Sequence, residues 1–270
     1  TLEDARAIAD LARPGSRVLQ LGAGFIGCII MESLVKRGVH LTVVELGDRM
    51  VPRMMTPEAG SMIKRWVESQ GVRVVTKAGV ERIEEGTGAP LTVILTTGDR
   101  IDCELLIVAA GVAPNVAFLE GTDVHVAKGV LVDDTMQTSV PGIYAAGDIA
   151  RWPDARTGER LRVEHWVVAG RQGQTAARNL LGRRERYDAV PFFWTEQYDF
   201  ALAYVGHAEG WDDIRIDGDL EQQDCRIAYR RAGKELAVAV VHRDLAGLQA
   251  EVDFERALAR AAAPASSAVR

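Results

Sequence analysis

The chain has 270 residues, of which 47% are hydrophobic, and a formal net charge of -6. This length and composition suffice for one large domain or two to three small ones with buried cores. The mildly acidic charge argues against a general nucleic-acid binder. No apolar run approaches the roughly 20 residues of a membrane span, and the three cysteines form no C-x-x-C motif. We therefore expect a reducing, cytoplasmic setting and no zinc site.

The first part of the chain alternates between strand and helix patterns. The predicted elements are a helix at 2–11, a strand at 17–21, a helix at 25–37, a strand at 41–45, a helix from Pro57 to about Gln70 with Thr56 as its N-cap, and a strand at 72–75. This β-α-β-α-β order is typical of a parallel, doubly wound α/β domain of the Rossmann type.

Shorter elements are predicted for the rest of the chain. They are strands at 80–84, 91–96 and 100–103, a buried strand that opens the segment 104–115, two strands within 129–150 around a Pro141-Gly142 turn, a helix at 165–182, strand-like sequence at 191–210, a hairpin of 226–230 and 235–241, and a helix from Asp253 with an Ala/Ser-rich end. The shift to aromatic residues after 182 indicates a small α+β domain.

A glycine-rich loop lies between the first predicted strand and the helix that follows it. Gly22-Ala23-Gly24-Phe25-Ile26-Gly27 fits the pattern G-x-G-x-x-G. The first glycine permits a tight turn, the second lets a diphosphate approach the backbone, and the third lets helix and strand pack closely. Free amides and the helix dipole favour phosphate there. The loop predicts a dinucleotide site made by Gly22, Gly24, Phe25, Ile26 and Gly27, with a tight turn that binds nothing as the alternative.

Glu45 ends the second predicted strand, at the place where a carboxylate accepts hydrogen bonds from an adenosine ribose. Because the acid would repel a 2'-phosphate, the sequence favours NAD(H) over NADP(H). Arg49 and Arg53 weaken this preference, since a nearby cation tolerates the phosphate, and Arg53 is included among the predicted cofactor contacts. An ordinary solvated acid at a strand end is the alternative interpretation of Glu45.

A second nucleotide signature lies in "TSVPGIYAAGDIA", at 138–150. Together with "AAGVAPN", at 109–115, it resembles the flavin-dependent pyridine nucleotide oxidoreductases. The resemblance implies that Gly147 and Asp148 lie at the ribityl-pyrophosphate part of FAD. It also implies that Gly111 lies in the loop between the two dinucleotide domains. A helix N-cap or a turn is the alternative role for Asp148.

The aromatic segment that starts at Pro191 narrows this resemblance. It is similar to a "PxFWSDQ"-like segment of bacterial ferredoxin and rubredoxin reductases, a branch related to apoptosis-inducing factor. In that branch the segment packs by the isoalloxazine, and Trp194 matches its tryptophan, with core packing as the alternative. The predicted helix at 165–182 resembles the family helix that lies against the flavin, which makes Trp166 a candidate contact. The resemblance extends from about Arg17 to Glu251.

The resemblance implies three parts. They are an NAD(H)-binding domain at 1–128, the C-terminal segment of an FAD-binding domain at 129–187, and a C-terminal α+β domain of the interface type at 188–270. Family members begin with another strand–glycine-loop–helix unit, for which there is no room before Arg17. We therefore expect a piece of a longer reductase, or a second chain that supplies the missing half. FAD is expected in the intact protein and is not required in this piece.

The implied activity is hydride transfer from NADH to N5 of the flavin, followed by transfer of single electrons to a small iron–sulfur protein of the ferredoxin or rubredoxin type. Related reductases carry a glutamate close to the nicotinamide where this chain has Ile29, and Glu32 lies one turn further along. Hydride transfer needs no protein acid, so the change concerns the position of the nicotinamide and not the reaction class. No catalytic residue is predicted.

Several alternatives remain open at this point. The acceptor could instead be a quinone or oxygen, and the chain could be a non-catalytic NAD sensor, an interaction protein or a plain NAD-dependent dehydrogenase. Disulfide reduction is disfavoured without a C-x-x-C motif. The run at 183–186, "RRER", is either a solvated surface or a docking site for an acidic ferredoxin. Cys28, His165 and His207 are interpreted as structural, and a homodimer is left open.

Overall fold

The computed structural model describes residues 1–197 and 199–262. These residues form two compact units. The first comprises 1–112, 195–201 and 218–225, and the second comprises 113–194, 202–217 and the residues from 226 onwards. No helix in the described part of the chain is both long and apolar enough to cross a membrane.

The first 112 residues contain three helices and seven strands. They are α1 (Leu2–Leu11), β1 (Arg17–Leu21), α2 (Phe25–Lys36), β2 (His40–Glu45), α3 (Pro57–Ser69), β3 (Arg73–Thr76), β4 (Val80–Glu85), β5 (Leu91–Leu95), β6 (Arg100–Cys103) and β7 (Leu105–Val108). Four strands form a parallel sheet in the order β3-β2-β1-β7, while β4, β5 and β6 form an antiparallel sheet. The predicted Rossmann-like α/β class is confirmed.

Local sequence explains why these helices begin where they do. The Thr1 side chain accepts from the backbone N–H of Asp4 to form a capping box at α1, and the Thr56 hydroxyl accepts from Ala59 N–H (3.1 Å) at α3. Pro57 occupies the first turn of α3, where its missing N–H costs nothing. By contrast, α2 begins after Gly24, and no side chain of the described residues caps it, which leaves amides of its first turn available to a ligand.

The chain after residue 112 forms further sheets with two long helices. Its elements are a 3-10 turn (Ala117–Leu119), β8 (Val130–Leu131), β9 (Ala150–Pro153), β10 (Arg160–Leu161), α4 (Trp166–Leu180), β11 (Phe192–Gln197), β12 (Phe200–Gly206), β13 (Asp213–Asp219), β14 (Asp224–Arg231), β15 (Lys234–Val241) and α5 (Asp244–Ala262). One sheet has the order β10-β9-β8 and another has the order β11-β12-β15-β14-β13. Separate apolar clusters contain Trp152 with Tyr187, and Val205 with Phe254.

The prediction of two full strands within 129–150 is wrong. The Pro141-Gly142 turn does form, with Ile143 N–H donating to the carbonyl of Val140 (3.1 Å). Strand β8 covers two residues and β9 begins only at Ala150, while the residues beside the turn make isolated bridges such as Gln137 with Tyr144. The reason is that β8 pairs in parallel with β9. The two strands therefore do not form a hairpin around the Pro141-Gly142 turn.

The predicted start of the last helix is also wrong, because α5 begins at Asp244 and not at Asp253. Leu245 and Leu248 are 83% and 53% exposed. The face that the beginning of α5 buries consists of small residues, Ala246, Gly247 and Ala250, so the large apolar residues that mark an amphipathic helix are absent from it. Strand β13 was not predicted, and it is mostly exposed and polar. The Ala/Ser-rich end at 263–270 lies outside the described residues.

Candidate functional site

The glycine loop directly follows β1, at the carboxyl end of the parallel sheet. Gly22 has a positive φ of 98°, and a Cβ on it would lie 2.3 Å from the carbonyl oxygen of Ala109. A Cβ on Gly27 would lie 2.4 Å from the carbonyl oxygen of Gly22. A Cβ on Gly24 would meet no atom of the described residues within 4 Å. The first and third glycines are therefore required by packing, whereas the second keeps open space above the loop.

The N-terminus of α2 is built to receive an anion. No side chain among the described residues caps it, and the first helical hydrogen bond runs from Cys28 N–H to the carbonyl of Gly24 (2.9 Å). Phe25 is half-buried and Ile26 is 57% exposed. The first turn of a helix presents its N–H groups and a partial positive charge, which together favour a phosphate.

Glu45 has a role that sequence reasoning missed. Its side chain is buried, and its two carboxylate oxygens accept from different loops: Oε2 from Ala23 N–H (2.7 Å) and Oε1 from Gly47 N–H (2.7 Å). The carboxylate thus ties the loop after β1 to the loop after β2. Because an ionised carboxyl group offers about four lone-pair positions, it can still accept from a sugar hydroxyl.

The two arginines after β2 differ in how they are used. Arg49 donates from Nε to the carbonyl of Met55 (2.8 Å) and forms an ion pair with Asp48 (2.7 Å). Its guanidinium therefore holds the loop that contains it. Arg53 is exposed to solvent. Both arginines weaken the expected preference for NAD(H). Among the described residues, contacts fix Arg49 within the loop, whereas no such contact fixes Arg53.

The loop after β7 lies beside the glycine loop, since Ala109 N–H donates to the carbonyl of Leu21 (2.7 Å). Gly111 in this loop has a positive φ of 108° and is exposed. Ile29 is 51% exposed on α2, while Glu32 forms an ion pair with Lys36. Large exposed apolar side chains near the carboxyl ends of the strands and the start of α2 are Ile26, Ile29, Leu46, Val108 and Val112. Such surfaces suit the flat rings of a nucleotide.

In the second unit, Gly147 and Asp148 lie in the turn just before β9. Gly147 is buried with a positive φ of 83°, and its N–H donates to Oε1 of Gln172 on α4 (2.8 Å). Asp148 is exposed, and its backbone carbonyl accepts from Arg162 (3.0 Å). The N-cap of α4 is His165, so Asp148 is not a helix N-cap. It does lie in a turn, its other alternative role, where Ala150 N–H donates to the carbonyl of Gly147 (2.8 Å). Sequence reasoning missed Gln172, whose contact with Gly147 spans 25 positions.

Trp166 and Trp194, predicted from separate motifs, lie together. Their ring centroids are 5.7 Å apart with the planes at 71°, and they are 69% and 45% exposed. His165 lies 6.0 Å from the Trp194 ring, and burial lowers the pKa of His165. Trp194 is too exposed for its alternative role in core packing. Its neighbour Phe193 is the buried one and stacks on Tyr204, with ring centroids 5.2 Å apart.

The remaining candidates from the sequence are Cys28 and the basic run at 183–186. Burial raises the pKa of the Cys28 thiol to about 12, and its sulfur lies 3.6 Å from the carbonyl oxygen of Ala23, which agrees with a structural role. In the run at 183–186, Arg183 and Arg186 form ion pairs with Glu185 and Asp134. The described residues contain no cluster of side chains able to hold a metal ion.

Comparison with known proteins identifies the family. The profile described as pyridine nucleotide-disulphide oxidoreductase matches residues 1–173, and the profile described as reductase C-terminal matches residues 192–269. The chain belongs to the pyridine nucleotide-disulphide oxidoreductase family. Its similarity is to the ferredoxin reductase and apoptosis-inducing-factor-like branch, which confirms the resemblance stated from the sequence.

The relatives are longer than this chain. It is 31% identical to human apoptosis-inducing factor 3 over 90% of this chain and 41% of that protein, and 31% identical to putidaredoxin reductase CamA of Pseudomonas putida over 90% of this chain and 58% of that protein. The reductase in a crystal structure of the covalent putidaredoxin reductase–putidaredoxin complex superposes with a TM-score of 0.89 at 30% identity, over 94% of this chain and 61% of the other. The chain thus spans about half the length of the curated relatives it matches.

Proposed function

We propose that this chain is the NAD-binding and C-terminal portion of an FAD-dependent NAD(P)H oxidoreductase. When bound, NADH supplies a hydride and FAD converts it into single electrons for an acceptor. The observation that carries this proposal is the loop at 22–27. There the described residues leave the N-terminus of α2 without a side-chain cap and the space over Gly24 open, and the Glu45 carboxylate binds the loop. From the family resemblance we also infer three domains, with the bounds 1–128, 129–187 and 188–270.

The residues of the first unit hold the dinucleotide. Amides at the start of α2 bind its diphosphate, and Glu45 accepts from its adenosine ribose while it fixes the loop through Ala23. Phe25, Ile26 and the loop of Gly111 line the approach. NADH is preferred over NADPH, because the buried Glu45 repels a 2'-phosphate and Arg49 is already paired with Asp48.

The residues of the second unit serve the flavin of the intact protein. Gly147, fixed by Gln172, lets the chain pass close to a ligand, and the exposed Asp148 carboxylate accepts from ribityl hydroxyls. The exposed pair Trp166 and Trp194 packs on a flat ring. These roles rest on the family resemblance together with the placement of the side chains.

A ferredoxin- or rubredoxin-type iron–sulfur protein is the proposed electron acceptor. Relatives include a component named biphenyl dioxygenase system ferredoxin–NAD(+) reductase from Paraburkholderia xenovorans, 32% identical over 82% of this chain and 53% of that protein. The proposal places the protein in the cytoplasm. A homodimer is compatible with it and is tested by the mass in solution.

The experiment uses the full-length product of the gene that encodes this chain. We expect a yellow protein whose flavin absorbance is bleached by NADH under anaerobic conditions and restored by an oxidised ferredoxin. A colourless protein that binds NADH would contradict the reductase and leave the second candidate, a non-catalytic NAD sensor. The exposed Ile29, in place of the usual glutamate, favours that candidate.

A further inference from the structure

Gln20 is a fully buried polar residue in the central strand β1. It lies opposite Val43 of β2 and Ile107 of β7, and its neighbours along the strand, Leu19 and Leu21, are apolar. Burying an amide is unfavourable unless its polar atoms find partners. A glutamine at this position therefore requires an explanation that an aliphatic side chain would not.

The side chain of Gln20 bridges the two ends of the glycine loop. Its Nε2 donates to the carbonyl oxygen of Gly22 (2.9 Å) and to the carbonyl oxygen of Gly27 (3.1 Å). Gly27 and the Gln20 amide are closely packed, because a Cβ on Gly27 would lie 2.8 Å from the same Nε2. A single amide group thus holds the first and the third glycine of the loop together.

The other half of this amide indicates that stability alone does not explain it. Oε1 of Gln20 is buried and has no hydrogen-bond partner in the part of the chain that the structure describes. The orientation is set by chemistry, since only the NH₂ group can donate to two carbonyls. An unpaired buried acceptor destabilises a fold, so Oε1 offsets part of the stability that the two hydrogen bonds of Nε2 contribute.

We propose that Gln20 is a positioning residue of the dinucleotide site. It fixes the separation of the Gly22 and Gly27 carbonyls and, through them, the direction of the amides that face the diphosphate. It touches no ligand itself. This inference rests on the proposed function, because the aim of these amides matters only if the loop binds a dinucleotide.

The test separates affinity from stability. Gln20→Met keeps the length and burial of the side chain and removes the donor. NADH is titrated into the wild-type chain and the variant by calorimetry, and thermal melting is recorded for both. We expect the Kd for NADH to rise by about tenfold or more, equivalent to about 1.4 kcal/mol, while the Tm changes by no more than about 3 °C.

Thr92→Val is the matched control in the same unit. Thr92 is buried and its hydroxyl donates to Asp102 (2.5 Å), so this variant removes a buried hydrogen bond away from the loop. We expect a lower Tm and an unchanged Kd.

A Kd for Gln20→Met within about twofold of wild type would overturn the inference. A weaker Kd that is accompanied by a large decrease in Tm would overturn it as well, because the loss of affinity would then follow from the loss of stability. Gln20→Leu is measured in the same way if the first variant does not fold, and failure of both to fold would show that Gln20 maintains the sheet itself. If the wild-type chain does not bind NADH, the proposed function fails together with the inference. If the wild-type chain binds NADH and Gln20→Met binds it equally well, only the inference fails.

Discussion

Replacing Gly24 with alanine separates ligand binding from folding. Gly24 is the N-cap of α2, with a φ of -75° that any residue adopts, and an added Cβ would lie more than 4 Å from every atom in the described part of the chain. Alanine is a poorer N-cap than glycine by roughly 0.5–1 kcal/mol, and a less flexible unfolded chain offsets this by about 0.4–1 kcal/mol. The free energy of unfolding is therefore expected to change by less than about 1 kcal/mol.

Binding is expected to respond much more strongly. The methyl group would occupy the space through which a diphosphate reaches the amides of α2. Loss of one charge-assisted hydrogen bond is worth about 1.5–3 kcal/mol, which raises the Kd for NADH by roughly 10- to 150-fold. Calorimetric titration of wild type and Gly24→Ala with NADH measures this change directly.

Gly27→Ala is the contrasting variant. Its Cβ would lie 2.4 Å from the carbonyl oxygen of Gly22, so the loop must move, and overpacking of this kind costs about 1–3 kcal/mol. We expect a Tm lower by roughly 2–10 °C. Unchanged NADH affinity in Gly24→Ala would refute the assignment of the diphosphate site, even if Gly27→Ala behaved as expected.

Three further predictions concern single side chains. Glu45→Gln should weaken NADH binding by about tenfold or more, because an amide has one accepting oxygen and cannot accept from both backbone N–H groups that Glu45 serves; a wild-type Kd by calorimetry would contradict this. The Cys28 thiol, whose pKa burial raises to about 12, should resist a thiol reagent at about pH 8 until the protein is unfolded, and prompt labelling of the native chain would show otherwise. Hydrogen bonds from Arg17 lower the pKa of Glu104, so the carboxylate stabilises the fold above its unfolded pKa of about 4.3 and loses this effect as the pH falls. Urea unfolding should find Glu104→Gln less stable than wild type near neutral pH and equal to it in acid, and a gap independent of pH would count against this ion pair.

The first unit was predictable because its signals are local. Gly22, Gly24 and Gly27 fix a turn within a few residues, and the bounds predicted for β1 and β6 agree with the structure. The apolar run that ends at Glu45 marked β2 for the same reason. Position along the chain also placed Glu45 at the carboxyl end of the sheet, where parallel strands bind ligands.

The missed features depend on side-chain contacts and strand pairings that the local sequence pattern does not show. Nothing near Gln172 in sequence shows that its amide will accept from Gly147, and Gln20 resembles an ordinary polar interruption of a strand until its contact with Gly27 is seen. Two strands were predicted around the Pro141-Gly142 turn, whereas β8 pairs in parallel with β9, which follows that turn. Trp166 and Trp194 were found by resemblance, but their contact with each other appears only in three dimensions.

The most direct test of the central claim is calorimetric titration of this chain with ADP-ribose, which carries the diphosphate and both sugars of NAD without the nicotinamide. We expect saturable, one-to-one binding that competes with NADH and is weakened by about tenfold or more in Gly24→Ala. Absence of saturable heat with a folded chain, or binding that Gly24→Ala leaves intact, would show that the loop at 22–27 is not the diphosphate site.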